Sequence, residues 1–599
     1  MSGKFQRRCG RWFFFYGIKT SMLSRSVGRS VGNLAVSGRF RWYSAVGNNN
    51  NNNNKTPIRE KITEESDFAF RKNQIQQLSF NEQDKLYYPP IGKCENILRE
   101  GMSNVKKLRV EEYRQIFNGK KDIEGREGDE NPVKYLLSGK ISSIRKAGKG
   151  SMFIDIIQDL TKLQLIVHHK VMNIEKDEFI KIHSILRPGD QIMCIGKFGI
   201  TKVGELSLKV EKPIILASPS LHPIPPKFND LGKINKNRVI DYLVNKESVE
   251  ILILRSKIIK LIRNYLEDKG FNSFETPIIC NGNSGANAKP FETYSQHIKD
   301  DNNKDDSDKL FKLNLRVAPE LWLKRLIISG FDKIYEIGKS FRNEGIDSTH
   351  NPEFTTCEFY QTFIGLNELM EISEEMFKYI LLGILNDNKL GRFHDKCLQL
   401  KNKIDENDGK FGKIEFLNEI KNQTGYELTI KHLQDKDMLI KYFQKIGLSY
   451  NENDTIGNMI NKLIEEYLEP ITNKSDNKFL PTFIYNIPEI ISPLSKSDEN
   501  GIGLRFEMFI NGIEYMNAYE EENNPFKQKF KFQIQQNNKE MGDEESLIPD
   551  YKYLENMEWS LPPTGGWGMG IDRIVMLISD SKKIEKVLPF GRLNDVIVQ

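Results

Sequence analysis

The sequence predicts an α+β protein in which a small β-barrel precedes a larger domain of helices and strand hairpins. Three observations lead to this prediction. The chain has 599 residues, enough for two or three domains that each bury a core. Five short apolar runs, separated by glycine and charged turns, fall between residues 133 and 216. Further on, residues 315–363 follow the order helix, strand, loop, strand.

The N-terminal segment has the composition of a mitochondrial transit peptide. Residues 1–59 contain eleven Lys or Arg and no Asp or Glu. The apolar cluster from Trp12 to Tyr16 is too short for the core of a secretory signal. A disordered basic tail that binds RNA is the alternative interpretation. The asparagine run at residues 48–54 cannot bury apolar surface, which predicts a disordered linker.

The composition of the whole chain limits the classes of protein that need to be considered. The net charge of +5 is modest, so any contact with nucleic acid has to be argued locally. The six cysteines show no CxxC spacing, which argues against a zinc site and against a disulfide framework. No apolar run approaches the length of a transmembrane helix, so we expect no membrane partner.

The first part of the chain divides into an extension and a barrel. Residues 60–131 form an N-terminal extension to which we assign no chemistry. Residues 132–217 contain the five strand candidates KYLLSGKISSIR, SMFIDIIQ, KLQLIVHH, GDQIMCIGKFGITK and GELSLKVEKPIIL. Five short strands in about 85 residues indicate an OB-type barrel, and such barrels often bind single-stranded nucleic acid. A proline-rich linker, residues 218–245, precedes the C-terminal domain at residues 246–599.

The C-terminal domain contains a hairpin whose one wall is too polar to belong to a core. Pro319 suits the first position of a helix that ends near Gly330. Two strands follow, DKIYEIGKSFR and EFTTCEFYQTF, joined by a polar loop. Side chains on a strand alternate between its faces, so five polar or aromatic residues share one wall. They are Arg342, Glu344, Phe354, Glu358 and Tyr360.

A second hairpin, at residues 506–526, offers two carboxylates for a metal ion. Its two-residue turn is Asn511-Gly512, so Phe509 faces Glu514 and Glu507 is the diagonal neighbour of Glu514. Two carboxylates placed in this way can hold Mg²⁺ together with phosphate oxygens. A solvent-facing acidic hairpin is the alternative interpretation.

The same hairpin requires an irregularity if all its polar residues serve one site. Asn517 and Glu521 have the opposite parity to Glu514, and a flat strand cannot aim them at the same place. We therefore predict a β-bulge near Tyr515 or Met516.

A glycine-rich segment near the C-terminus predicts an anion site. LPPTGGWGMGIDRIVML, residues 561–577, suggests a glycine-rich turn followed by a helix that begins near Ile571. Arg573 would lie near the start of this helix and face an anion.

Three segments, taken in order, resemble the signature motifs of class II aminoacyl-tRNA synthetases. KGFNSFETPII (residues 269–279) is similar to the first motif, FRNEG with HNPEF (residues 341–354) to the second, and residues 561–577 to the third. APELWLKRL, which precedes the second motif, is similar to the corresponding segment of the lysyl members. The resemblance extends from about Pro132 to the C-terminus. It implies a catalytic domain with an antiparallel sheet flanked by helices and a helical insertion at residues 365–485.

The resemblance also implies the roles of individual residues, with ATP as a substrate and Mg²⁺ as the metal. The residues that contact ATP would be Arg342, Glu344, His350, Phe354 and Arg573, with Arg342 and Arg573 catalytic. The residues that bind the substrate lysine would be Glu320, Glu358, Tyr360, Asn517 and Glu521. The metal ligands would be Glu507 and Glu514. The residues of the barrel that contact the tRNA anticodon would be Arg145, Phe153, Gln164 and Glu205.

These assignments imply a function for the chain, and three other classes of protein are the alternatives. We expect an enzyme that activates L-lysine with ATP and transfers it to tRNA(Lys) in the mitochondrial matrix, as a homodimer. An aspartyl or asparaginyl enzyme is the nearest alternative, but it needs a cation facing a substrate carboxylate where this chain has Glu320 and Glu358. A lysine ligase that modifies a protein would lack the barrel. A catalytically inactive RNA-binding paralogue would have lost Arg342, Arg573 or the pair of Glu507 and Glu514.

Overall fold

The computed structural model describes most of the chain and divides it into two compact units. The described residues are 64–81, 88–119, 133–201, 203–281, 285–286, 288–299, 310–452, 454–540 and 549–597. The first unit ends at Pro223 and the second begins at Ile224. The predicted transit peptide and asparagine linker lie outside the described residues. Among the described helices, none is both long and apolar enough to cross a membrane.

In its described residues, the first unit contains five helices and seven strands. The helices are α1 Glu64–Asn81, α2 Ile91–Arg99, α3 Val110–Phe117, α4 His169–Met172 and α5 Lys176–His183. The strands are β1 Val105–Lys107, β2 Lys134–Lys146, β3 Ser151–Gln158, β4 Thr161–His168, β5 Gln191–Ile200, β6 Leu206–Val210 and β7 Ile215–Ser218.

Five of these strands close into a barrel, which confirms the predicted fold. The order is β2-β3-β4-β6-β5, and β5 pairs back onto β2, while β1 and β7 extend the edges. The alternation along β3 shows which side faces the core: Ile154 and Ile156 are fully buried inside the barrel. Phe153 and Asp155 therefore belong to the outer face of the same strand.

The N-terminal extension contributes helices to the unit that contains the barrel. In α1, Arg71 Nη2 donates to both carboxylate oxygens of Asp190, at 3.0 and 2.9 Å, and both side chains are buried. In α3, Tyr113 and Phe117 are part of the barrel's apolar core. Tyr113 also donates its hydroxyl hydrogen to the carbonyl of Ser207, at 3.0 Å. The described part of the extension is thus held by a buried ion pair and by aromatic packing.

The second unit consists of fourteen helices and eleven strands among its described residues, together with a few short 3₁₀ and π turns. The helices are α6 Leu231–Lys236, α7 Arg238–Val244, α8 Lys246–Asp268, α9 Glu320–Ile328, α10 Leu366–Leu385, α11 His394–Glu406, α12 Phe416–Thr424, α13 Ile430–Gln434, α14 Lys436–Ile446, α15 Ile456–Leu463, α16 Pro525–Glu540, α17 Tyr551–Met557, α18 Ile571–Ser579 and α19 Leu593–Ile597. The strands are β8 Asn272–Ser273, β9 Ile279–Cys280, β10 Glu292–Lys299, β11 Leu310–Leu315, β12 Lys333–Phe341, β13 Glu353–Thr362, β14 Gly412–Glu415, β15 Thr482–Tyr485, β16 Arg505–Ile510, β17 Ile513–Glu520 and β18 Thr564–Gly570.

An eight-stranded sheet organises this unit, in the order β14-β15-β16-β17-β18-β13-β12-β8. Its pairs are antiparallel except at the two edges, where β14 and β8 pair in parallel. One face is apolar: Phe359, Trp567, Ala518 and Phe506 lie side by side on four neighbouring strands. These residues share a core with the buried faces of α8, α10 and α18. The expected antiparallel sheet flanked by helices is confirmed, and its opposite face remains for the site.

The insertion at residues 365–485 is not purely helical, contrary to the prediction from the sequence. It contains α10 to α15, but also β14 and β15, which add two strands to one edge of the main sheet. Both strands are only four residues long, too short for an alternating pattern to stand out among amphipathic helices.

The apolar stripe of α8 is buried within this single chain. Ile251, Leu254, Ile258, Ile262 and Leu266 are each at most 4% exposed. Since the chain itself buries this stripe, the periodicity of α8 carries no information about a second subunit.

Candidate active site

The site begins with α9, which delivers a buried carboxylate. The helix starts at Glu320, one residue later than predicted, because Pro319 precedes the first turn as its cap. The Glu320 side chain is almost fully buried, and the chain leaves the helix through Gly330, whose φ is +99°. Only glycine adopts that backbone conformation without strain, so the sequence signal for the end of the helix is confirmed.

The register of four neighbouring strands places the key polar residues in one row across the sheet. Glu358 on β13 pairs with Gly568 on β18, Gly568 pairs with Asn517 on β17, and Asn517 pairs with Glu507 on β16. Directly opposite residues share a face. The row therefore lies on the face opposite to the Phe359–Trp567 core, and two predicted lysine ligands and one predicted metal ligand lie on a common surface.

A β-bulge is what brings Asn517 to this surface. Phe509 pairs with Glu514, and Met508 pairs with Met516, so Tyr515 has no opposite residue. Asn511 and Gly512 both have positive φ, as their two-residue turn requires. The predicted bulge near Tyr515 is thus confirmed.

The glycine-rich segment is a strand, and the prediction of a turn there was wrong. Gly565 to Gly570 belong to β18, in the middle of the sheet, and α18 begins at Ile571 as predicted. A Cβ on Gly566 would lie 1.9 Å from Glu521 Oε1 and 2.7 Å from Tyr360 Cε1. These glycines leave room for large side chains of the neighbouring strands to cross β18. Sequence reasoning missed this because glycine in a strand is usually unfavourable.

Three carboxylates form the pocket expected to bind lysine. Glu320, Glu358 and Glu521 influence one another electrostatically, and Tyr360 donates its hydroxyl hydrogen to Glu358 Oε2 at 3.1 Å. Burial, followed by repulsion from Glu320, raises the pKa of Glu358 to about 8. Burial also raises the pKa of Glu521, against the attraction of Lys324, and Glu521 Oε1 is a buried oxygen with no hydrogen-bond partner among the described residues. Such a cluster has excess negative charge and would favour a cationic ligand.

In the row across the sheet, Asn517 lies between this pocket and Glu507, a predicted metal ligand. Its Oδ1 accepts a hydrogen bond from Arg505 Nε at 3.1 Å. The same arginine forms an ion pair with Glu507 through Nη2. Arg505 thereby joins a predicted lysine ligand to a predicted metal ligand.

A second cluster gathers the residues predicted to contact phosphate. Arg573 lies in the first turn of α18, and its Nη1 donates to the Glu514 carbonyl at 2.8 Å and lies 3.4 Å from Glu514 Oε2. Its Nη2 is 2.9 Å from His350 Nε2. Burial, with Arg505 opposing it and Glu514 adding to it, raises the pKa of Glu507 to about 7. Crowded carboxylates next to an arginine suit a cation bound together with an anion.

His350 is oriented by an aspartate that sequence reasoning did not single out. His350 Nδ1 lies 2.8 Å from Asp347 Oδ2. Because Arg573 donates to Nε2, we assign the ring proton to Nδ1, which then donates to Asp347. The other Asp347 oxygen accepts from the backbone amides of Thr349 and His350, at 2.6 and 2.8 Å. Although slight desolvation opposes them at this exposed residue, these hydrogen bonds hold the pKa of Asp347 well below its usual range.

The third group is formed by the residues predicted to hold the nucleotide. The Arg342 guanidinium lies over the Phe354 ring, 5.1 Å from its centroid. Arg342 Nε is buried and has no hydrogen-bond partner within the described part of the chain, so it can serve a ligand. Glu344 is exposed in the loop after β12, apart from the carboxylate pocket.

A metal ion would have to share its coordination with a ligand. Among the described residues, no group of three or more His, Cys, Asp or Glu side chains could hold a metal by itself. Glu507 and Glu514 supply two carboxylates, and Glu469 adds to the local negative charge; burial and repulsion raise its pKa to about 7. This donor set fits Mg²⁺, which is usually held by one or two carboxylates plus substrate phosphates.

Two further residues shape the carboxylate pocket, and sequence reasoning missed both. Lys324 is fully buried, with its Nζ 2.8 Å from Glu320 Oε1 and 2.7 Å from Glu521 Oε2. Tyr519 donates its hydroxyl hydrogen to Glu320 Oε1 at 2.6 Å. Lys324 follows Glu320 by four residues, a spacing that signals a pair on one helix face. The contact with Glu521 spans 197 residues and has no local signal.

In the first unit, three of the four predicted barrel residues lie on the neighbouring strands β2, β3 and β4, and the fourth, Glu205, directly precedes β6, which pairs with β4. Phe153 pairs with Arg145, and its half-buried ring belongs to the outer face rather than to the core. Arg145 Nη2 lies 3.6 Å from Asp155 Oδ1. Gln164 Nε2 donates to Glu205 Oε2 at 3.0 Å. The outer face of the barrel thus combines a half-buried aromatic ring with hydrogen-bonding groups, of which Gln164 is buried.

Comparison with known proteins identifies the family. Residues 231–594 match the family of class II tRNA synthetases (D, K and N), and the chain belongs to that family. Its relatives narrow this further. The mitochondrial lysine–tRNA ligase of Saccharomyces cerevisiae is 39% identical over 541 residues, covering 85% of this chain and 90% of the yeast protein. That of Schizosaccharomyces pombe is 38% identical over 477 residues, covering 78% and 85%. The lysine–tRNA ligase of Aquifex aeolicus is 35% identical over 493 residues, covering 81% and 77%. Within the class II family, the chain is a member of the lysine–tRNA ligases.

Proposed function

We propose that the chain condenses L-lysine with ATP to give lysyl-adenylate and diphosphate, and then transfers the lysyl group to tRNA(Lys). The observation that carries this proposal is a buried carboxylate pocket on the same sheet face as a phosphate-binding cluster. Glu358 belongs to the pocket, Glu507 belongs to the cluster, and one row across the sheet contains both. The amino acid and the nucleotide can therefore bind side by side.

The activation step needs electrostatic stabilisation rather than a general base. The lysine carboxylate is already ionised, and it attacks the α-phosphorus of ATP while diphosphate leaves. Negative charge grows on the phosphoryl oxygens, and fixed cations stabilise it. Arg342, whose buried Nε has no hydrogen-bond partner among the residues that the structure describes, would bind the α-phosphate. Arg573 would bind the outer phosphates, and its contact with His350 Nε2 orients the guanidinium before ATP arrives.

The rest of the nucleotide site follows from the same hairpin. Phe354 would stack against the adenine ring, and its contact with Arg342 places this platform next to the phosphates. Glu344 lies in the loop that follows Arg342 and would accept a hydrogen bond from the adenine amino group. Glu507 and Glu514 would hold Mg²⁺, which neutralises phosphate charge when it is bound.

The charge of the pocket favours lysine over aspartate or asparagine. Glu320, Glu358 and Glu521 present carboxylates to the amino acid, with Tyr360 and Asn517 beside them. A second ammonium group finds partners there, whereas a side-chain carboxylate would face three carboxylates against one buried ammonium group.

Recognition of the tRNA would involve the barrel of the first unit. Phe153 offers an outward ring on which an anticodon base can stack, and Gln164 with Glu205 offers donors and acceptors for base edges. Arg145 would contact the backbone phosphates.

We also propose that the chain works as a homodimer in the mitochondrial matrix. Two of the yeast relatives are named mitochondrial. The segment similar to the first signature motif leaves Ile278 and Ile279 exposed, at 43% and 56%, and a second subunit could cover them.

The experiment that tests the function is amino-acid-dependent ATP–pyrophosphate exchange with each of the twenty amino acids. We expect exchange with lysine and a loss of it in Glu358→Gln, since that variant removes a pocket charge. The control is Glu368→Gln, which alters an exposed helix cap on α10 away from the row. Exchange with aspartate or asparagine would overturn the choice of substrate. No exchange from a folded, ATP-binding protein would overturn the enzymatic proposal.

A further inference from the structure

The lysine pocket contains a lysine of its own. Lys324 on α9 has no exposed surface, and its ammonium group lies between Glu320 Oε1 and Glu521 Oε2. The ring of Tyr553 on α17 lies beneath it, with the centroid 5.5 Å from Nζ. The ammonium group is therefore held by two carboxylates and an aromatic face, and it does not line the open part of the site.

The two ion pairs leave the glutamates in defined orientations. Lys324 and Tyr519 both contact Oε1 of Glu320. On Glu521, Lys324 pairs with Oε2, while Oε1 is buried, has no hydrogen-bond partner in the described part of the chain, and lies next to Gly566 of β18. An unpaired buried carboxylate oxygen is costly unless a ligand satisfies it. Lys324 thus turns one oxygen of Glu521 away from the pocket side and leaves the other for a ligand.

Lys324 also changes the net charge of the pocket. Once a bound cation favours ionisation of all three carboxylates, Glu320, Glu358 and Glu521 carry three negative charges and Lys324 carries one positive charge, which gives the ligand-bound pocket residues a net charge of −2. The substrate lysine carries two ammonium groups, which match this charge. Without Lys324 the pocket would have a charge of −3, and protons would compete with the substrate for the carboxylates.

We propose that Lys324 is a positioning and specificity-determining residue, which orients Glu320 and Glu521 and sets the charge of the pocket to match the two ammonium groups of the substrate. This inference rests on the proposed function, because it assumes that lysine occupies the carboxylate pocket. Lys324 acts through the two glutamates and does not itself contact the substrate.

Several titratable groups surround this cluster and would respond to its loss. They are Glu320 on α9, Glu336 on β12, Glu358 and Tyr360 on β13, Tyr519 on β17, Glu521 after β17, Tyr553 on α17, Arg316 and Arg505. Its four carboxylates outnumber its two arginines. Removal of one buried cation therefore makes proton uptake by the remaining carboxylates easier, and a pH profile will report it.

The test is Lys324→Met, assayed by lysine-dependent ATP–pyrophosphate exchange from pH 6.5 to 9. At pH 7 we expect the KM for lysine to rise on the order of tenfold, the effect of about one unit of carboxylate pKa. The difference from the unmodified chain should shrink toward pH 9, where the carboxylates ionise without help. The KM for ATP should stay within about twofold, because the phosphate cluster is untouched.

The matched control is Lys531→Met. Lys531 is also buried and paired with a glutamate, Glu522 at 3.1 Å, but it contacts Ser495 and Glu489 rather than the pocket. This control should lower thermal stability and leave the KM for lysine and its pH profile unchanged. Equal changes in the KM for lysine and for ATP, or an unaltered pH profile in Lys324→Met, would overturn the proposal.

A double variant keeps the test decisive if Lys324→Met does not fold. Lys324→Met combined with Glu521→Gln removes both partners of one buried pair, which costs less than stranding one charge. Comparison with Glu521→Gln alone should again show a KM for lysine that depends more steeply on pH, and an identical profile would overturn the role of Lys324. Failure of the proposed function would look different: the unmodified chain itself would show no lysine-dependent exchange.

Discussion

Glu507 and Asn517 lie directly opposite each other on β16 and β17, although an unbroken ladder from their turn would place Glu507 opposite Met516. The extra residue, Tyr515, shifts the register by one. Because strand side chains alternate, this shift exchanges the faces of every later residue on β17. One bulge thus turns Asn517 toward the site and Ala518 toward the helices.

The close approach of Glu521 to β18 predicts a sharp effect of one added methyl group. Gly566→Ala would place its Cβ 1.9 Å from Glu521 Oε1, so the carboxylate has to move. We expect a stability loss of about 1–3 kcal/mol, the usual cost of overpacking, and a KM for lysine raised by about tenfold or more. Thermal unfolding and lysine-dependent exchange measure the two effects.

Gly568→Ala is the matched control for stability. Its Cβ would meet Glu358 Cγ at 3.6 Å, an ordinary contact distance, so the free energy of unfolding should hardly change. A similar loss of stability in both variants would contradict the argument from close approach.

The raised pKa of Glu358 predicts that lysine stabilises the protein more at pH 8 than at pH 6. In the empty pocket Glu358 keeps its proton up to about pH 8, while in the unfolded chain it loses the proton near pH 4.5. Between these values the folded state binds more protons, so the free energy of unfolding falls as pH rises. When Glu358 is ionised, an ammonium group of bound lysine pairs with its carboxylate and offsets the fall in the free energy of unfolding. The shift of Tm by saturating lysine should therefore grow from pH 6 to pH 8.

Two controls accompany that measurement. Norleucine has the length of lysine without the second ammonium group and should give a small shift without the pH trend. In Glu358→Gln the shift by lysine should lose most of its pH dependence. An equal shift by lysine at pH 6 and pH 8 in the unmodified chain would be incompatible with the proposed titration.

The contact between Asp347 and His350 predicts a selective effect on ATP. Asp347→Ala removes the acceptor of His350 Nδ1 and the oxygen that binds two backbone amides of the loop. We expect the KM for ATP to rise by about fivefold, equivalent to one hydrogen bond of about 1 kcal/mol, with the KM for lysine unchanged. Steady-state exchange kinetics measure both constants.

A comparable loop aspartate serves as the control. Asp498 also accepts from two backbone amides, those of Asn500 and Ile502, and Asp498→Ala should leave the KM for ATP unchanged. If Asp347→Ala shifted the KM for lysine as strongly as that for ATP, the assigned role of the His350 contact would be wrong.

The outward ring of Phe153 predicts that activation and tRNA charging can be separated. Phe153→Ala should raise the KM for tRNA by about tenfold or more, since the stacking of one base contributes about 1–3 kcal/mol. Exchange without tRNA should not change, because this residue belongs to the first unit. Ile157→Ala, on the same face of β3 four residues further on, is the control. Unchanged charging by Phe153→Ala would refute the stacking role.

Local patterns in the sequence were sufficient for much of this molecule. Alternation and turn residues predicted the five barrel strands, the Asn511–Gly512 hairpin and the bulge at Tyr515. These features depend on neighbours in sequence, where the parity of a strand leaves few choices. The signature motifs then identified the residues that the sheet places on one face.

Only the tertiary structure decided how distant residues compensate one another. Lys324 and Glu521 are 197 residues apart, so no local pattern in the sequence predicts their ion pair. The glycines of β18 suggested a turn, but they form a strand. Because Gly566 has no side chain, Glu521 and Tyr360 have room next to it. The sequence by itself determined which side chains are available and which way each strand presents them. The packing of α9 against the sheet decided which charges meet, because burial makes an unpaired charge too costly to leave without a partner.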